Sequence, residues 1–467
     1  MGPAESQSVR NLVRNAFLAF RRALEEFLLV PTGIIVAFLA LAFGTYHLDS
    51  LRLEFLLPFR DFLRSHVFAN SEATSGLLEA IAAGIITLTS ITISLLLVAV
   101  QQSAGSMTGQ VFDQFLRRRM NQIYFGFFVG LALFSLVTLA TVNEPFNPVF
   151  GASIAFCGTV IALYLLLLLL YTTIHQMRPD EIIDAIHGHI LLARARQSEF
   201  IAQTRPKPAV SEGFDAPVVS EVHGYLTRVN LDLISKVLDG ADAEIVLMVS
   251  IGDFVGYRDT IAIVRSGSHQ SAEKIAKAVI KGIELERERD IAYDPAYGVT
   301  QLETIAWTSI STSKSNPAPG LSVIRSLRDI MSRWSEEKLP ERRAKAVAVV
   351  YHDRTFETLL DSFETLAVVA SESMQHQSFT EIMRTFVIIL DRIPESRIER
   401  LEDLLLRSLS VLGEFALTRE LEQTLRDLQG ALQSSGRVET ARAVEKALER
   451  MSRTIGELGS RATRANS

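Results

Sequence analysis

A single cysteine, Cys157, is all the thiol that 467 residues carry. It lies in an apolar run, so an internal disulfide is excluded and no Cys/His pattern exists to hold structural zinc. The phosphate loop G-x-x-x-x-G-K-[ST], the nucleophile elbow G-x-S-x-G and the zinc motif H-E-x-x-H are missing too. Nothing therefore nominates a metal, a cofactor or a catalytic residue. A net charge of −6 gives no general attraction for nucleic acid. Charge as a whole is scarce, at 21% of residues, and is absent from four long stretches.

Those stretches cover residues 27–46, 80–100, 122–142 and 149–171. Each holds about 20 residues, enough for a helix rising 1.5 Å per residue to cross a hydrocarbon core of about 30 Å. The last, ending in YLLLLLLYTT, is the clearest, and the second is the most polar. Together they account for a mean hydropathy of +0.22, because the chain after residue 175 has ordinary globular proportions. The first run starts too far into the chain for a signal peptide, has no A-x-A site, and is expected to be retained. No Asp, Glu, Lys, Arg or His falls in the middle of a run, which argues against a proton relay, a voltage sensor or an ion-coupled pump.

Between the second and third runs lies a polar island, QQSAGSMTGQVFDQFLRRRMNQ, with Arg117, Arg118 and Arg119 in succession. With the N-terminus inside, the inner segments carry Arg10, Arg14, Arg21, Arg22, the island arginines, Arg178, Arg194 and Arg196. The outer loop VNEPFNP carries no positive charge, while Arg52, Arg60 and Arg64 in the other outer loop are offset by acids. The positive-inside rule then predicts a bacterial inner-membrane protein with both termini cytoplasmic. The island arginines are a topology signal beside a short amphipathic helix (Val111, Phe112, Phe115, Leu116) at the lipid surface.

In the second run, Thr87, Ser90, Ser94 and Gln101 recur at helical spacing and share a face. That face is read either as a pore lining or as a packing face, since small hydroxyl residues let helices approach; packing is preferred. Gly33, Gly44 and Gly84 take the same packing interpretation.

The predicted fold class is mainly α. A four-helix transmembrane domain precedes a cytosolic α+β domain that has a small β-rich half-barrel and a helical C-terminal part. The expected boundaries are a cytoplasmic segment at 1–26, the four spans within 27–175, and a juxtamembrane helix with linker at 176–217. A β-rich module at 218–267, a mostly helical domain at 268–458 and a disordered tail at 459–467 complete the chain. Residues 270–334 read as helical, interrupted by YDPAYG and STSKSNPAPG.

Four stretches carry a family resemblance: LVAVQQSAGSMTGQVFDQFLRRRMNQIYFGFFVG, YTTIHQM, HGYLTRVN…IGDFVGY and DPAYGVTQLETIAWTSISTSKSNPAPG. The chain resembles the bacterial predicted membrane proteins called domain of unknown function 2254. The resemblance implies four spans and a cytosolic domain, and it supplies little about function. In the last stretch the chain keeps the family's Asp294, Pro295, Gly298, Gln301, Leu302, Ile305, Ala306, Ser311 and Pro317. It has Thr304 for an aspartate, Thr308 for an arginine, Ser315 for an asparagine and Asn316 for an aspartate, with Glu303 one position before the first lost acid. Asp294, Gln301, Glu303 and Asn316 are thus a candidate ligand loop, although Ser-Asn-Pro also serves as a plain turn, and the structural reading is preferred.

The expected function is that of an integral membrane protein with a cytosolic sensing or ligand-binding domain, forming a homo-oligomeric passive channel lined by the second span. The alternatives are a membrane-tethered enzyme acting at 290–320 and a scaffold that recruits a cytosolic protein. The expected partners are the lipid bilayer, further copies of the chain, and a cytosolic protein or small-molecule ligand; nucleic acid is not among them.

Overall fold

The computed structural model describes residues 28–51, 70–106, 119–144, 146–176, 178–209, 213–312, 316–337, 346–410 and 418–453, with isolated positions at 58, 62–63 and 68. Segment 1–26, most of the polar island including Arg117 and Arg118, Ser315 and the tail 459–467 lie outside the described residues. The chain divides into two compact units, Met1–Arg178 and Pro179–Ser467.

The first unit holds α1 (Leu29–Ser50), α2 (Ser71–Ser106), α3 (Arg119–Ala140) and α4 (Val149–Gln176). All four contain a segment long and apolar enough to cross a membrane. Being apolar all round, such helices have no stripe to turn inward, and packing detail decides which one is central. That one is α3, which packs against each of the other three and fully buries Phe128, Leu131 and Phe134. With 36 residues, α2 is about 54 Å long and outruns a hydrocarbon layer of about 30 Å.

Packing corrects the glycine expectation. A β-carbon at Gly33, Gly44 or Gly84 would meet nothing within 4 Å. Close approach is made instead by α3 and α4. A β-carbon at Gly130 would lie 2.4 Å from Phe38 Cδ2, one at Gly126 2.9 Å from Pro31 Cα, and one at Gly158 2.7 Å from Leu131 Cδ1. The reason is geometric: a glycine matters where a neighbour's backbone or ring reaches it, and helical spacing alone does not say which face that is. At one end of the bundle, buried Asp49 accepts from the backbone N–H groups of Phe150 (3.0 Å) and Gly151 (3.1 Å), closing the end of α1 onto the start of α4.

The second unit opens with α5 (Pro179–Ala202), whose apolar face (Ile182, Ile183, Ile186, Ile190) is buried. Two small sheets follow, built from β1 (Phe214–Val219), β2 (Gly224–Val229), β3 (Ala243–Leu247), β4 (Phe254–Val255), β5 (Thr260–Ser266), β6 (Ile283–Glu286) and β7 (Val349–Val350). One sheet has the order β1-β5-β3-β7, antiparallel except for the parallel β3–β7 pair, and the other is the antiparallel β4-β2-β6. Helices α6 (Leu231–Leu238) and α7 (His269–Val279) cover them, with Leu226, Ile234, Ile245, Val264 and Val279 in the shared core.

The strands β6 and β7 lie outside 218–267, and β6 interrupts a stretch read as helical. The interruption read at YDPAYG covers only its first two residues: Tyr293 ends a turn, Asp294 is the N-cap, and Pro295 is the first residue of α8 (Pro295–Ile310). The remaining helices are α9 (Ala318–Glu336), α10 (Thr355–Glu372), α11 (His376–Ile389), α12 (Glu395–Ser410), α13 (Arg419–Ser434) and α14 (Val438–Arg453). Helix α8 sits among them, packed on α5, α9 and α10. Gly298 permits its approach to α5, since a β-carbon there would lie 2.3 Å from Ile190 Cγ1.

Candidate functional site

Two of the stretches that carry the family resemblance meet in the second unit. The turn after β3, Ser250–Asp253, is held by Ser250 N–H donating to Asp253 Oδ2 at 2.7 Å. Gly252 within it has φ +95, and a β-carbon there would lie 2.2 Å from Asp294 Oδ2 and 2.7 Å from Arg289 Nη2. The turn therefore lies directly over the Asp294 carboxylate. Asp294 caps α8 by accepting from Tyr297 N–H at 3.0 Å, and its other oxygen accepts from Arg289 Nε at 2.8 Å. Burial is the larger effect on this carboxyl and holds it above the usual carboxylate range despite Arg289.

Tyr351 links this corner to a second polar group. Its hydroxyl accepts from Ile251 N–H at 3.3 Å, and burial with the nearby Asp353 charge pushes the phenol upward. Beyond it, Arg194 of α5 is buried between Asp353 (2.7 Å) and Glu337 (2.8 Å) and also donates to Gln197 Oε1 at 2.7 Å. Gln197 in turn donates to Thr355, and Ser198 donates to Glu337 Oε1. The Trp334 ring lies under the Arg194 guanidinium, 5.4 Å from centre to carbon. Burial opposes charge on Asp353, but Arg194 and the Thr355 N–H outweigh it and hold that carboxyl below its ordinary range. Arg194, counted in the sequence as a topology residue, is thus the centre of a buried ion network.

The four nominated loop residues are engaged in separate places. Asp294 and Gln301 are buried and both address Tyr297. Glu303 turns to α10, where its Oε2 accepts from Ser362 Oγ at 2.6 Å. Asn316 is exposed and accepts from Ala318 N–H at 3.1 Å, capping its own turn. Thr304 and Thr308 donate to carbonyls one turn back, at 2.8 Å each. These contacts hold helices in place and bring no common reacting centre together. No group of three or more His, Cys, Asp or Glu able to hold a metal occurs among the described residues.

In the first unit, Thr87, Ser90 and Ser94 lie on an exposed face of α2. Thr87 donates to Ala83 O at 2.9 Å and Ser94 to Ser90 O at 3.0 Å, so these hydroxyls are satisfied within their own helix. Gln101 lies further along the same helix, and Arg119 opens α3.

What the sequence did not nominate is a cleft of about 370 Å³ between α5 and the β2–α6 connection. Phe200, Leu231 and Ile251 give it apolar surface, and Tyr293 also lines it. Arg228 and Arg196 both lie against the Tyr293 ring, at 4.2 Å and 5.3 Å from its centre. The available signal was that Arg228 belongs to HGYLTRVN, one of the stretches carrying the resemblance, and that Tyr293 directly precedes another, DPAYG.

Known proteins bear on these features as follows. Uncharacterized proteins of Mycobacterium bovis and Mycobacterium tuberculosis are each 22% identical to the chain over 292 residues, which is 59% of this chain and 56% of theirs. The chain thus spans little more than half the length of these relatives. No solved structure matches it. The family model described as predicted membrane protein matches residues 25–377, a range that includes all four apolar helices, both sheets, the ion network and the cleft. By that match the chain belongs to the predicted membrane protein family, domain of unknown function 2254 (DUF2254).

Proposed function

We propose that the protein is a multi-pass protein of the bacterial inner membrane, with both termini in the cytoplasm, which self-associates through α2 and carries a ligand-responsive cytosolic domain. The observation that supports this best is the outward Thr87–Ser90–Ser94 face. Four spans rarely enclose an aqueous path alone. This face is exposed among the described residues, and small hydroxyl side chains, satisfied within their own helix, let a second helix approach closely. A ring of copies presenting this face would line a passive path with hydroxyls, consistent with spans that carry no ionisable group at mid-depth.

The test is the mass of the full chain in detergent together with ion flux in liposomes. The expected result is a discrete oligomer whose conductance is altered by Ser94→Leu. A stable monomer without flux defeats the proposal. The catalytic alternative at 290–320 receives no support from the geometry, because Glu303 and Asn316 are directed away from Asp294 and Gln301.

A further inference from the structure

We propose that the cleft between α5 and the β2–α6 connection binds a small molecule through one compact oxyanion group, a phosphate or a carboxylate, held by Arg196 and Arg228. This deepens the ligand-responsive part of the reading above and is independent of whether α2 self-associates.

Two guanidinium groups converge on one ring, with their carbons 4.2 Å and 5.3 Å from the centre of Tyr293. Neither is fully neutralised there. Arg196 Nη1 donates at 2.8 Å to the neutral carbonyl of Ala292 and has no carboxylate within ion-pair distance among the described residues. Arg228 reaches Asp290 only at 3.6 Å, longer than a charge-assisted hydrogen bond. Each guanidinium has five N–H donors in a planar fork, so most of the donor capacity of the pair remains for a ligand. Two like charges held at one ring repel each other, and Asp290, 3.6 Å from Arg228, offsets this only in part, so a further anion beside them is favoured.

Pre-organisation favours a real site over two loose surface side chains. Tyr293 belongs to the turn that ends in the buried Asp294. The turn is closed by Tyr293 N–H and Asp294 N–H, both donating to Asp290 O at 3.1 and 3.0 Å. The turn thus fixes the backbone that carries the ring, and both guanidinium groups lie beside that ring. Elsewhere in the cleft, Phe200, Leu231 and Ile251 offer apolar surface for the body of a ligand.

Size and the remaining charges narrow the class. A cleft of about 370 Å³ is at the small end of ligand pockets, which run from about 300 to 1,000 Å³. Glu199 and Asp232 also line it, so a polyanion would meet repulsion that a single oxyanion group on a largely neutral body avoids.

The test uses the full chain in detergent micelles and equilibrium dialysis against inorganic phosphate, adenosine monophosphate and benzoate. These probes separate phosphate from carboxylate recognition, and a bare anion from one with a ring. The expected result is saturable binding of at least one probe, weakened by salt and reduced about tenfold or more by Arg196→Gln and by Arg228→Gln. Arg265→Gln, which removes a surface arginine paired with Asp215, serves as the charge control and should bind as wild type. Both cleft arginines are exposed, so an unchanged melting temperature should accompany the loss. No saturable binding of any probe, or binding that the cleft variants and the control alter equally, overturns the site. Oligomer mass and flux are read separately, so failure here leaves the membrane proposal standing, and the reverse holds as well.

Discussion

Arg194 Nη1 lies 2.7 Å from Asp353 Oδ2, joining residues 159 positions apart in the sequence. Through this pair and through Glu337, α5 is fixed to the end of α9 and the start of α10. A buried ion pair of this kind adds little over a well-packed apolar replacement, yet breaking it from one side is costly, because the partners keep their desolvation penalty. The pair therefore specifies how α5 docks more than it adds stability.

Arg194→Ala is accordingly expected to destabilise the second unit by about 3–5 kcal/mol, leaving Asp353 and Glu337 buried without their cation. Arg194→Met, which fills the volume, is expected to lose less than Arg194→Ala when Asp353→Asn is combined with it. Denaturant unfolding followed by tryptophan emission measures both. Trp334 is 5% exposed beneath Arg194 and Trp307 is 49% exposed, so a red shift on unfolding reports mainly Trp334. Equal stability of the alanine variant and wild type would contradict the network.

Asp294 and Asp353 make opposite demands on pH. Asp353 is held low, so it contributes stability above the ordinary carboxylate value of about 3.9 and loses it as pH falls through its depressed folded value. Asp294 is held high. The folded state keeps its proton longer than the unfolded chain does, so this group favours folding below about 3.9 and the contribution is lost as pH rises through the elevated folded value. Asn can still cap α8, so Asp294→Asn should remove this second slope. Measured against wild type, the variant should gain relative stability as pH rises from about 4 toward neutrality. A difference that stays flat with pH would mean that the carboxyl is not elevated.

Gly252 and Gly240 separate backbone strain from space. Both have positive φ, +95 and +71, but a β-carbon at 240 meets nothing within 4 Å whereas one at 252 collides with the Asp294–Arg289 pair. Gly240→Ala should cost about 1–2 kcal/mol from conformation alone. Gly252→Ala should cost about 1–3 kcal/mol for the backbone, and more because the ion pair must move. Thermal unfolding of the two variants side by side decides it, and equal losses would mean that the turn does not press on the carboxylate.

Hydropathy made the four long helices legible because it is a local property: about 20 uncharged residues in a row need no knowledge of neighbours. Strands β3 and β5 were legible for a similar reason, since AEIVL and TIAIVRS are short β-branched runs beside turn residues. Strand β6 was not, because IELE has four residues and follows directly on α7 and a single 3₁₀ turn. The polar network was invisible for another reason: Arg194 meets Glu337 and Asp353 across 143 and 159 residues, and nothing in its local sequence distinguishes it from an inner-face arginine. The cleft combines both cases, with Arg228 inside a readable family-like stretch and its meeting with Arg196 at Tyr293 dependent on the fold.

The glycines of the first unit distinguish contacts within a chain from contacts between chains. At Gly130 a β-carbon would lie 2.4 Å from the Phe38 ring, so Gly130→Ala must push α1 from α3 and should cost about 1–3 kcal/mol as overpacking. Gly44 and Gly84 have open space, and alanine there should leave the melting temperature of an isolated chain unchanged or slightly raised, since alanine favours helix by up to about 1 kcal/mol. Gly84 lies one turn before the exposed Thr87. If α2 is the surface through which copies meet, Gly84→Leu should lower the oligomer mass in detergent while the fold of each chain survives, whereas Gly44→Leu on α1 should leave both mass and fold unchanged. Size-exclusion light scattering paired with thermal unfolding reads the two effects independently. A Gly84 variant that keeps the mass of wild type would count against self-association through this face.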